Sequence, residues 1–160
     1  MELHNTKIDL AKGKREKLVA ILNQSLADAI DLRSQAKQAH WNVKGSNFIA
    51  LHELFDRVAT EVEVHVDDIA ERVTTLGGTA MGTVRIAAER SSLSQYPLEI
   101  IDGTAHVDAL STALADFGKK VRKNIDATDE LGDADTADLF TGISRGIDKL
   151  LWFVEAHNQA

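Results

Sequence analysis

The chain has 160 residues, a formal net charge of −7 and no cysteine. That length supports a single domain with a full core, and the lack of thiols excludes thiolate metal sites, thiol catalysis and disulfides. The acidic balance argues against nucleic acid as a partner of the body, although residues 1–17 carry five basic against three acidic side chains, a local +2 that leaves −9 for the rest.

Four segments show apolar residues at steps of three and four, the mark of amphipathic helices. The first runs through Leu18, Leu22, Ser25, Ala29, Leu32 and Ala36 and ends near Lys44-Gly45. It follows an N-terminal arm, 1–13, and opens a helical body, 14–160. The second runs from Phe48 through Leu51, Phe55, Val58, Val62, Val66, Ile69 and Val73 to Leu76 and stops at Gly77-Gly78. Ser46 is placed to cap it. The third holds Val107, Leu110, Leu114, Phe117, Val121 and Ile125, with Asp102 as its cap, and the fourth holds Phe140, Ile143, Ile147, Leu150 and Val154, opened by Asp133 or Asp135.

Short turns make the first and second helices antiparallel, and likewise the third and fourth. About 25 residues separate the second from the third, enough to run back along a helix roughly 45 Å long. That connection allows a parallel arrangement, with a short helix over Thr83–Ser91 and Pro97 outside any regular helix. The fold expected is all-α, a ferritin-like four-helix bundle with one long crossover. The chain start lacks a basic-then-apolar pattern and no apolar run spans a bilayer, so a cytoplasmic protein without a membrane partner is expected.

Five side chains in this frame carry metal-binding chemistry. His52 and Asp56 are four apart, as are Asp67 and Glu71, so each pair shares a helix face. His40 closes the preceding helix, within reach of His52 across a short turn. Two imidazoles and three carboxylates suit iron and related first-row metals. The plain alternative is a solvated helix stripe with a half-buried histidine beside Trp41. Asp56 and Asp67 look the same way, about 16 Å apart along the axis, while metal bonds are near 2 Å. One chain therefore cannot wrap both pairs around one ion. Either the pairs are separate weak sites, or an antiparallel copy brings His52 and Asp56 of one chain to Asp67 and Glu71 of another. No Glu is followed by His three positions on, which argues against a di-iron centre inside one bundle. Glu63 lies on the ligand face as a candidate auxiliary contact, and His65 lies nearly opposite Asp67. His4, His106 and His157 read as surface or capping residues.

The run Lys37-Gln38-Ala39-His40-Trp41-Asn42, followed by Gly45, Phe48, His52-Glu53 and Asp56, resembles the Dps family, the DNA-binding proteins from starved cells. So do His65-Val66-Asp67-Asp68-Ile69-Ala70-Glu71-Arg72 and the closing Asp148-Lys149-Leu150-Leu151-Trp152-Phe153. The resemblance implies a hollow dodecamer with iron oxidation sites at its two-fold interfaces. His40, His52 and Asp56 would come from one subunit and Asp67 and Glu71 from its mate, with Trp41 a candidate electron donor that quenches stray radicals. It implies a ferroxidase that oxidises Fe(II) with hydrogen peroxide or dioxygen, stores ferric mineral and protects DNA, with zinc and other divalent metals able to take the same site. The acidic stretch 126–138 would line three-fold iron-entry pores through Asp129, Asp133 and Asp138, although helix capping and a solvated turn account for part of it. DNA binding, the trait of members with mobile basic tails, is expected to be weak or absent here. The alternative is a nucleoid-compacting DNA-binding protein with an incidental metal site.

Overall fold

The computed structural model describes residues 3–159. Five helices follow in order: α1 (Lys12–Asn42), α2 (Phe48–Thr75), α3 (Val84–Arg90), α4 (Gly103–Glu130) and α5 (Ala134–Glu155). α1 packs along α2 and α4 along α5, while α1 also meets α4 and α2 meets α5, which closes a four-helix bundle. Its core is the apolar stripe of each helix: Leu22 and Leu32, Phe55 and Val62, Leu114 and Phe117, Phe140 and Ile147, all essentially inaccessible. Their sequestration is the main favourable term in holding the bundle closed.

The directions follow from contacts at the ends. The Lys44 backbone N–H donates to the Ile101 carbonyl at 3.1 Å, so the end of α1 meets the start of α4. A Cβ on Gly103 would fall 2.5 Å from the Leu51 side chain, so the starts of α2 and α4 lie together. These two helices are therefore parallel, as the long crossover allowed. The crossover carries α3 and is strapped to α1 by buried polar side chains. Asn23 donates to the Thr79 carbonyl and accepts from the Met81 N–H, Asp28 accepts from the Ser92 N–H, and Gln35 donates to the Ser94 carbonyl. A loop laid over a helix must pair its backbone groups, and these side chains do so.

The helix ends partly depart from the expectations. Asp102 caps α4 through the Ala105 N–H, and Asp133, not Asp135, caps α5 through Thr136. Asn47 rather than Ser46 precedes α2, and it makes no side-chain cap bond. α2 ends where Gly77 takes φ +85° and the Gly78 N–H reaches back to the Val73 carbonyl at 2.9 Å. That left-handed turn satisfies carbonyls left open by the helix.

The arm is not a free tail over its described length. Leu3 is buried in the core, and the His4 N–H donates to the Gly77 carbonyl at 2.8 Å. Arg15 is buried and donates to the Leu76 carbonyl at 2.8 Å and to the Leu10 carbonyl at 3.2 Å. α1 begins at Lys12, so Arg15 belongs to its first turns and serves to hold the arm rather than face a phosphate.

Candidate functional site

His40 at the end of α1 and His52 in the second turn of α2 meet across the short connection, their rings stacked with centroids 3.8 Å apart. Each Nδ1 bonds to the other residue's backbone carbonyl: His40 Nδ1 to His52 O at 2.7 Å and His52 Nδ1 to His40 O at 2.8 Å. A carbonyl only accepts, so both Nδ1 atoms carry the proton. In the neutral rings each Nε2 then presents its lone pair, the form in which imidazole ligates a metal. Phe48 flanks His52, with centroids 5.1 Å apart.

Asp56, one turn on from His52, pairs with Lys37 of α1 at 2.6 Å. The Lys37 hydrogen bond, with further help from the charge of Lys37 and of both histidines, holds the Asp56 carboxyl below its ordinary range. Asp56 is thus ionised at neutral pH, and an arriving cation must compete with an ammonium for it. Trp41 is 67% exposed beside this group, with the Lys37 ammonium 5.6 Å from its ring centroid.

At the other end of α2, Asp67 and Glu71 are exposed, and their carboxylates make no hydrogen bond or ion pair among the described residues. Among the described residues no three His, Asp or Glu side chains converge to hold an ion within one chain. The fold thus sets His40 against His52, leaves Asp56 one turn further along α2 on Lys37, and keeps Asp67 and Glu71 apart from all three. Glu63 faces α1, its carboxylate 3.1 Å from Arg33. His65 packs toward α5, where a Cβ on Gly146 would meet its Nε2 at 2.8 Å, and burial lowers its pKa.

Of the acidic stretch, Asp129 and Asp138 are exposed. Asp133 is not available to line a pore in this structure. It is buried, Arg72 donates to its two oxygens at 2.8 and 3.0 Å, and the N–H and hydroxyl of Thr136 also donate to it. These donors outweigh the cost of burial and lower its pKa. His106 departs from expectation as well. It is a core residue, 1% exposed, with Nδ1 2.7 Å from the Tyr96 hydroxyl. Only the folded crossover brings those two together, and no spacing in the chain signals it.

Known proteins resemble this chain over nearly its whole length. The ferritin-like domain family matches residues 19–160. The chain is 48% identical to the DNA protection during starvation protein of Agrobacterium fabrum, over 99% of this chain and 98% of that one. It is 34% identical to the protein of the same name from Brevibacillus brevis, over 91% and 97%. Among solved structures, the Mycobacterium smegmatis Dps in a tetragonal form superposes with a TM-score of 0.93 at 30% identity, covering 99% of this chain and 96% of the other. The Dps of Microbacterium arborescens in its high iron form superposes at 0.87 with 31% identity, covering 94% and 97%.

Proposed function

The chain belongs to the Dps family of ferritin-like proteins, and from that premise we propose that it is an iron-storing ferroxidase that protects DNA from oxidative damage. Fe(II) is the substrate, hydrogen peroxide or dioxygen the oxidant, and ferric mineral the stored product. The observation that carries the reading is the reciprocal His40–His52 arrangement. It fixes two imidazoles in the ligating tautomer.

Two copies meeting across a two-fold axis complete the site, with His40, His52 and Asp56 from one and Asp67 and Glu71 from the other. Imidazoles hold Fe(II) and carboxylates favour Fe(III). Oxidising two Fe(II) with one peroxide reduces it fully to water-level oxygen and releases no hydroxyl radical. Lys37 holds Asp56 ionised and opposes tight cation binding, so product iron leaves for the interior. Twelve copies form the shell, and Asp129 and Asp138 supply negative potential at the iron-entry pores. Zinc and similar ions compete for the same ligands.

DNA compaction is the weaker reading, because the arm is docked on Gly77 and the remaining body is acidic. The test is peroxide-driven Fe(II) oxidation followed by ferric absorbance in the native protein and in His40→Ala/Asp67→Ala. An unchanged rate in the double variant would sink the assignment. A gel shift at physiological salt tests the DNA expectation, for which no retained complex is expected.

A further inference from the structure

Behind the ligand face, on the core side of α2, lies a second pair of reactive groups that iron binding does not use. Tyr96, from the crossover, is 6% exposed, and its hydroxyl is 2.7 Å from Nδ1 of His106 on α4. Tyr96 is the chain's only tyrosine. The ring of Phe55 links the pair to α2, 6.4 Å from the His106 ring between centroids. Phe55 faces the core while its neighbour Asp56 faces Lys37. Pair and ligands therefore stand on different faces of α2, with the Phe55 ring between them.

The pair is costly as a purely structural device. His106 Nε2 is buried and makes no well-formed hydrogen bond among the described residues, the Ile100 carbonyl being its nearest help. A core histidine with one ring nitrogen poorly bonded is destabilising relative to an apolar side chain of similar shape. Burial keeps the Tyr96 phenol protonated, its pKa pushed well above normal. Burial also lowers the His106 pKa, against the opposing pull of Asp102 and the Ile100 carbonyl, so the imidazole is neutral and can take a proton at Nδ1.

We propose that Tyr96 and His106 form a reversible one-electron sink for oxidising equivalents that escape the iron site. The inference rests on the ferroxidase reading above. When peroxide meets a single Fe(II), the products are Fe(III), hydroxide and hydroxyl radical. That radical takes an electron from the protein and becomes a second hydroxide. The hole comes to rest on Tyr96: the phenol O–H bond breaks, the proton passes to His106 Nδ1, and a neutral tyrosyl radical remains beside a protonated imidazole. A second Fe(II) then supplies one electron, His106 returns the proton, and Tyr96 and His106 are restored. The sum is two Fe(II) and one peroxide converted to two Fe(III) and two hydroxides, the outcome of a fully loaded site. Trp41, 67% exposed, is open to solvent and to further oxidation, whereas the buried phenol keeps its proton 2.7 Å away for the return.

The test is freeze-quench electron paramagnetic resonance on the full assembly, with Fe(II) below one per site and excess peroxide, while ferric absorbance is followed in parallel. A second arm replaces iron and peroxide by a flash-generated one-electron oxidant, a photo-oxidised ruthenium tris-bipyridyl complex. The native protein is expected to give a tyrosyl signal in both arms. Tyr96→Phe is expected to abolish it and to raise spin-trapped hydroxyl radical several-fold in the iron arm. His106→Gln keeps an acceptor for the phenol but not a base, and the signal is expected to fall several-fold in both arms. Iron oxidation without a tyrosyl signal, or a signal that survives Tyr96→Phe, overturns the sink while leaving the ferroxidase reading intact. Absence of iron oxidation in the native protein overturns that reading and the sink with it, whatever the flash arm gives.

Discussion

The two ends of α2 solve opposite problems. Near its start, His52 and Asp56 are engaged within the chain, the histidine locked to His40 and the carboxylate paired with Lys37. Near its end, Asp67 and Glu71 stand exposed and unpaired among the described residues, next to a turn of the chain that is tied down by other groups. There Arg72 clamps Asp133, Gly77 turns the chain, and the arm is pinned through His4 and Arg15. One end holds its side chains in fixed partnerships; the other end presents bare carboxylates beside a tethered turn. Such halves are complementary, and a site made of both is precise only when each mount is stiff.

The sharpest break of this comparison is a mixing experiment. His52→Ala and Asp67→Ala should each lose about 100-fold or more in iron oxidation rate. Unfolded and reassembled together, they should recover about one quarter of native activity, because half of randomly formed pairs are mixed and each mixed pair keeps one intact site. No recovery on mixing would mean that the two ends of α2 never share an ion.

Next in size is Asp133→Ala, which leaves Arg72 largely buried without its partner and uncaps α5. A loss of about 3 kcal/mol is expected in denaturant unfolding. The pH dependence has a definite sign. The folded pKa of Asp133 lies below the ordinary 3.8. Its contribution is therefore complete above that value and drains away as pH falls through the lower folded pKa. Asp133→Asn should flatten the acid limb of the stability profile below pH about 4.

Gly77→Ala probes the same end more gently. Alanine at φ +85° is strained, and its Cβ would fall 2.5 Å from the His4 carbonyl oxygen. About 2 kcal/mol of destabilisation is expected, with faster proteolysis of residues 3–11 as the visible sign. An arm that stays protected would show that Leu3 and Arg15 hold it without the glycine.

The smallest effect belongs to the other end. Lys37→Gln removes the competitor for Asp56, a half-exposed pair, and should tighten zinc or cobalt binding about two- to five-fold by calorimetry. Unchanged affinity would mean that Lys37 yields to the ion without cost.

Much of this architecture was readable beforehand for local reasons. Periodicity marks the helices, Asp102 and Asp133 mark two starts, and the length of the crossover allows the parallel arrangement that the end contacts display. His40 and His52 were readable as neighbours because a short turn leaves them few places to go, and four-residue spacing sets Asp56 on the same face as His52. Asp133 was legible as a cap but not as a buried partner of Arg72, since an acidic cluster looks the same whether its members face solvent or a buried guanidinium. The role of Arg15 was hidden for a similar reason: it counts as a positive charge in the sequence, whereas in the fold it donates to the Leu76 and Leu10 carbonyls.

The order of residues by itself determined the helices, the placing of two His/Asp/Glu pairs far apart along α2, and the impossibility of one chain closing both around one ion, because these depend only on helical rise and period. Tertiary structure alone decided the lone-pair orientation of His40 and His52, the burial of Asp133, and the meeting of Tyr96 with His106. Each of those depends on which groups from distant segments replace water, and desolvation is a property of the packed molecule.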